Sequence, residues 1–130
     1  MTTTFGHVVR RVIGAPASGI CHLREGETLV VNDDKGILRV GHRVKPEEIA
    51  IGKEARHDLE GITCDPKGNR VWVVAEQTRQ VIAYDVTRAK RGQLALHESG
   101  EIRRLPKLKN VDNKGWEGIA FLPKEAADGK

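Results

Sequence analysis

Short apolar runs alternate with turn-forming clusters along the chain. The runs at 28–32 (TLVVN), 36–40 (GILRV), 70–75 (RVWVVA) and 80–86 (QVIAYDV) are rich in β-branched residues. Each is too short for a helix and has the length of a strand. Between the runs stand Arg24-Glu25-Gly26-Glu27 and Pro66-Lys67-Gly68-Asn69, which carry the Gly and Asn that tight hairpin turns demand. Strict apolar–polar alternation is weak, as expected for sheets covered on both faces. The pattern predicts an all-β chain of short antiparallel strands joined by hairpins.

The strands recur as a repeat. SGICHL at 18–23, EGITCD at 60–65 and EGIAFL at 117–122 each hold a small or acidic residue, then Gly-Ile, then a strand-like run. Gly19 and Gly61 are 42 residues apart, and Gly61 and Gly118 are 57 apart. The first interval suits one four-stranded propeller blade, and the second suits a blade with an insertion, placed at 87–113. Fourth strands are expected at Glu48–Ile51 and at 101–105 (EIRRL). The predicted fold is a partial β-propeller in one domain. Blade 1 covers about 16–56, blade 2 about 57–113, and the first strand of blade 3 about 114–130. Two blades and a strand leave apolar faces and strand edges open. The expectation is therefore either a fragment of a longer chain or self-association through the open edges to complete a ring.

Composition narrows the function classes. With 130 residues, 38% hydrophobic and 31% charged, the chain has the make-up of one globular domain. No apolar stretch reaches a membrane span, so no membrane partner is expected. The net charge is +4, but the cations at Arg10-Arg11, Arg88–Arg91, Arg103-Arg104 and Lys107–Lys109 are scattered, with no aromatic among them to stack on a base. Nucleic acid is not an expected partner. Cys21 and Cys64 are far apart and belong to no CxxC pair, so they read as two buried or half-buried thiols, with a disulfide possible but not required. The start, MTTTFGHVVRR, lacks the apolar core of a secretory signal. Thiols without an export signal predict a cytoplasmic, reducing setting.

Candidate chemistry follows from the repeat. Ser18, Glu60 and Glu117 precede the three Gly-Ile pairs. Radial symmetry would bring them to one channel mouth, where gathered carboxylates favour a hard divalent cation such as Ca²⁺. Glu60 and Glu117 are the expected metal ligands. Asn32, Asp33 and Asp34 end the second strand of the first unit, and Glu76 and Gln77 end that of the second. Glu76 or Asp33 could activate water. A structural reading stands beside this one: Glu60 and Glu117 fix blade spacing, and Asp33-Asp34 shape a turn. His57 adjoins Asp58-Leu59-Glu60 and reads as a solvated loop residue or a base at the mouth. Trp72 and Trp116 read as packing residues.

The stretches 57–86 (HDLEGITCDPKGNRVWVVAEQTRQVIAYDV) and 112–130 (DNKGWEGIAFLPKEAADGK) resemble the SdiA-regulated family and the related esterase-like phytase propellers. The carrying motifs are the acidic-Gly-Ile start, the D-P-x-G-x turn, the apolar strand ending in Glu, and NKGWEG at 113–118. The resemblance implies a five- or six-bladed propeller with calcium in or near the channel, and many members that are exported. A looser similarity to lactonase propellers implies a metal-ligand role for Glu60 and Glu117, whereas Ser18 departs from that pattern. The activity so implied is metal-assisted hydrolysis of an ester or phosphoester. The alternatives are a non-catalytic interaction module and a truncated propeller without activity of its own.

Overall fold

The computed structural model describes residues 17–32, 36–41, 45–51, 58–107, 116 and 118–122. It contains two four-stranded antiparallel sheets and, among the described residues, no helix. Sheet 1 runs β1 (Gly19–Arg24), β2 (Glu27–Asn32), β3 (Gly36–Val40) and β4 (Glu47–Ile49) in spatial order. Sheet 2 repeats this with β5 (Leu59–Cys64), β6 (Arg70–Ala75), β7 (Gln80–Arg88) and β8 (Leu94–Arg104). Each is a simple meander, the strand order of a propeller blade.

The hairpins form where turn chemistry required them. Gly68 adopts a φ of +72°, a left-handed conformation that favours glycine. Asp65 braces the same turn: its Oδ1 accepts hydrogen bonds from the backbone N–H groups of Asn69 (2.8 Å) and Arg70 (3.3 Å).

Register explains how the sheets join. In sheet 1, Gly19 lies opposite Val31, Cys21 opposite Leu29, and Val31 opposite Ile37. These residues therefore share one face. In sheet 2, Ile62 lies opposite Val73, Cys64 opposite Val71, and Val71 opposite Tyr84. The two faces meet in one buried cluster that includes Leu29, Val31, Ile37, Ile62, Val71, Val73, Ile82 and Tyr84. Each such side chain contributes roughly 1.5–3 kcal/mol when fully buried.

β1 and β5 lie side by side in the same direction. A Cβ at Gly19 would sit 3.1 Å from Gly61 Cα and 3.1 Å from Ile62 N, so any larger residue would push the two backbones apart by a few tenths of an ångström. Farther along, Cys21 and Cys64 are joined as a disulfide, with Cα atoms 6.1 Å apart. This corrects the expectation of two thiols: the neighbouring strands bring the half-buried sulfurs together across the interface.

Two further sequence expectations change. The fourth strand of the first sheet is Glu47–Ile49 rather than 48–51. Of the insertion expected at 87–113, residues 87–104 lie in a lengthened β7–β8 hairpin, and residues 108–113 lie outside the described residues. There β7 continues to Arg88 and returns through an 11-residue β8. The hairpin kinks where Ala83 faces the Ser99–Glu101 stretch, and Ser99 Oγ donates to the Ala83 carbonyl there (3.2 Å). The segment 118–122 lies against sheet 2 without strand pairing.

One ion pair crosses between the sheets. Arg88 of β7 donates from Nε (2.8 Å) and Nη2 (2.8 Å) to the Glu27 carboxylate of β2, and Nη2 also donates to the Gly68 carbonyl (2.7 Å). The side chains are 20% and 9% exposed, so this pair is desolvated and its partners depend on each other. The Arg88 hydrogen bonds hold the Glu27 carboxyl below its ordinary value of 4.5, against the opposing effect of burial. A depressed carboxyl stabilises the fold above its unfolded-state pKa, and that stability is lost as pH falls through the folded value. Glu27→Gln leaves Arg88 uncompensated. The variant is expected to lose about 3 kcal/mol at pH 7 and to lose less further stability between pH 5 and 3 than the parent, by urea melts at each pH. Equal stability of variant and parent at pH 7 would contradict this.

Tyr84 is fully buried, and among the described residues its hydroxyl has no hydrogen-bond partner. Burial, and secondarily Glu98, push that hydroxyl well above its ordinary value, so it stays protonated. Tyr84→Phe removes an unsatisfied group while keeping the ring. Its stability should match the parent within about 1 kcal/mol or exceed it, and a loss above about 2 kcal/mol would reveal a partner for the hydroxyl.

Candidate functional site

The parallel course of β1 and β5 sets the ends of the sandwich. Ser18 and Glu60 enter their strands at the same end, because Gly19 stands beside Gly61. Ser18 N donates to Val31 O (2.9 Å), extending the β1–β2 ladder by one step. Asn32, the last residue of β2, is fully buried at this end. The corresponding end of sheet 2 holds Asp58, Glu60 and Glu76, and also Arg79, Arg103 and Arg104, which flank or pair with the start of β7.

Glu60 does not simply repeat Ser18. Leu59 pairs with Ala75 and Gly61 with Val74, so Glu60 is the extra residue of a β-bulge. A bulge re-aims the side chain it carries and sharpens the local twist. Asp58, just before it, has a φ of +59°, an uncommon left-handed conformation for a residue with a Cβ. Glu76 follows β6, and its backbone N–H donates to the Asp58 carbonyl (3.0 Å). The turn then closes through Arg79 N donating to Glu76 O (3.1 Å), with Arg79 at a φ of +52°. Asp58, Glu60 and Glu76 are all half-buried. Glu60 and Glu76, assigned to different roles by sequence, are thus held at one end of one sheet.

Glu117 and Asp33, the other expected ligand and base, lie outside the described residues, as do Asp34 and His57. Gln77 is described and exposed. Among the described residues no group of three or more His, Cys, Asp or Glu side chains could hold a metal ion. Trp72 packs as expected: its ring lies 5.4 Å from that of Phe121, tilted by 30°. Trp116 instead uses its polar edge, with Nε1 donating to the Pro106 carbonyl (3.0 Å).

The third unit touches the second as the second touches the first. Cys21 and Cys64 stand two and three residues after their glycines, and so do Thr63 and Phe121. Where the first pair is a disulfide, the second is a hydrogen bond from Phe121 N to Thr63 Oγ1 (2.9 Å). Trp72 corresponds to Leu29, so the Phe121 ring rests on the repeat counterpart of a core position.

A family described as "Phytase-like: Esterase-like activity of phytase" matches residues 13–127. The chain belongs to this phytase-like family. No curated protein and no solved structure matches the chain. The match spans both sheets and the segment that continues them, so family membership covers the end carrying Glu60 and Glu76 as well as the core.

Sequence reasoning missed three features here. The bulge at Glu60 depends on one unpaired residue that no composition signal marks. The Glu27–Arg88 pair joins residues 61 apart. The disulfide did have a signal: two cysteines at nearly equivalent places in neighbouring repeats.

Proposed function

We propose that this phytase-like protein is a β-propeller module that binds Ca²⁺ at the end carrying Glu60 and Glu76 and supports hydrolysis of a phosphoester or ester. The observation that carries this reading is the β5–β6 pairing that sets Glu60 at the same end as Glu76, with Glu60 on a bulge there. The described donors there are carboxylate and carbonyl oxygens, the hard ligands that suit Ca²⁺ rather than Zn²⁺. They complete a site only together with Glu117 and Asp33. In this reading Glu60 and Glu117 are ligands, and Glu76 or Asp33 takes the proton from the attacking water. The bound cation would lower the pKa of that water and stabilise charge on the substrate oxygens.

The disulfide supports a setting different from the cytoplasm. The case for a reducing compartment rested on two thiols, whereas such bonds form and persist in oxidising surroundings. Placement outside the reducing cytoplasm is part of the proposal.

Calorimetric titration with Ca²⁺ tests the site. The parent is expected to bind, with Glu60→Gln weakening the affinity at least about tenfold, the loss of roughly one charged ligand interaction. Chelation is expected to abolish hydrolysis of a p-nitrophenyl phosphate or ester probe. Absence of binding heat and of any thermal shift at millimolar Ca²⁺ would reject the cation site.

A second reading, association through a sheet face, is favoured by one comparison. Ile62 is 4% exposed beneath sheet 1, whereas its repeat counterpart Ile20 is 68% exposed. An added β-sheet covering Ile20 would extend the series. Light scattering should then show self-association that Ile20→Lys reduces. A parent that is monomeric at all concentrations would rule out association between copies.

A further inference from the structure

The two successive contacts between repeat units are held by different chemistry. At the first, Cys21 and Cys64 are covalently joined. At the second, the equivalent positions Thr63 and Phe121 meet through a hydrogen bond, backed by the Trp72–Phe121 ring contact. The close placement of these positions is therefore achieved once without a covalent link. The first interface also holds a continuous apolar cluster, the Gly19–Gly61 approach and the Glu27–Arg88 pair. Both sulfurs belong to half-buried residues. They are neither sealed in the core, as Leu29 and Tyr84 are, nor fully open to solvent.

We infer that Cys21–Cys64 is a reducible clasp on the first interface, added to a contact that forms without it. This inference is independent of the cation site. A dithiol reductant opens the clasp by ordinary exchange. Its thiolate attacks one sulfur, the S–S bond breaks, and the other cysteine leaves as a thiolate that takes up a proton. The second reductant thiol then displaces the mixed disulfide. Cys21 and Cys64 end as two thiols, having gained two electrons and two protons, and the reductant departs as its disulfide. The two sheets stay docked through their shared core, but the unfolded chain regains the freedom that a 43-residue cross-link had removed. The clasp thus makes the firmness of this interface follow the thiol–disulfide balance of its surroundings, whereas the Thr63–Phe121 contact is indifferent to it.

The test compares the full chain before and after dithiothreitol with a Cys21→Ser/Cys64→Ser double variant. Peptide mapping without reduction should recover Cys21 linked to Cys64. Reduction should lower the melting temperature on the order of 10 °C while the strand signal in circular dichroism at 25 °C is kept. The double variant should melt with the reduced parent and ignore the reductant. The inference is overturned if no linked peptide is recovered, if the melting temperature moves by less than about 2 °C on reduction, or if reduction alone abolishes the strand signal at 25 °C. The last result would make the bond a requirement of the fold, whatever the variant does.

Discussion

Two backbones pass so closely at Gly19 and Gly61 that a Cβ at Gly19 would press on Gly61 Cα and Ile62 N at 3.1 Å, tighter than ordinary packing. That approach sets β1 and β5 side by side and in the same direction. Several features follow from it. The face carrying Leu29 and Val31 can reach the face carrying Val71 and Val73, because the strands that begin the two sheets are in contact. The sulfurs of Cys21 and Cys64 come within bonding distance a few residues on. Ser18 and Glu60 are fixed at a common end.

The two ends of the sandwich are built differently. Around the hairpin turns, arginines from both sheets bind backbone carbonyls. Arg24 donates to Lys67 O, Arg39 to Gly26 O and Gly92 O, and Arg88 to Gly68 O and the Glu27 carboxylate. These long side chains tie turns of one sheet to turns of the other. The opposite end carries Asp58, Glu60 and Glu76 together with Arg79, Arg103 and Arg104. It is shaped by a bulge and by left-handed backbone at two residues with a Cβ, Asp58 and Arg79. Local strain of this kind persists only where the surrounding structure holds it.

Much of the sheet structure was legible in the sequence because it depends on local signals. β2, β3, β6 and the first part of β7 are β-branched runs bounded by Gly, Asn and Pro, and they form where those residues place them. The repeat of Gly-Ile identified two equivalent units, and these became two sheets of the same order. β8 was harder to see. The strand expected at 101–105 is only its end; the residues 94–100 that precede it contain His97, Glu98, Ser99 and Gly100, and no apolar period distinguishes them from a loop. The candidate site was legible only as a set of residue types. That Glu60 and Glu76 share an end follows from strand pairing, which the repeat implied. That Glu60 is bulged away from the position of Ser18 follows from one unpaired residue, which the repeat concealed. The disulfide required knowing that the neighbouring strands are offset by one residue, since Cys21 aligns with Thr63 in the repeat and yet bonds to Cys64.

The central claim is that one docking relation is used twice: sheet 1 on sheet 2, and sheet 2 on the segment around Phe121. Nuclear Overhauser contacts in solution measure this most directly. Cross-peaks between Gly19 and the Ile62 amide, together with cross-peaks between the rings of Trp72 and Phe121 and between Thr63 and the Phe121 amide, are the predicted result. Finding the Gly19–Ile62 contact without either contact to Phe121 would show a single sheet-to-sheet interface with no repetition, and the account of successive, equivalent units would be wrong.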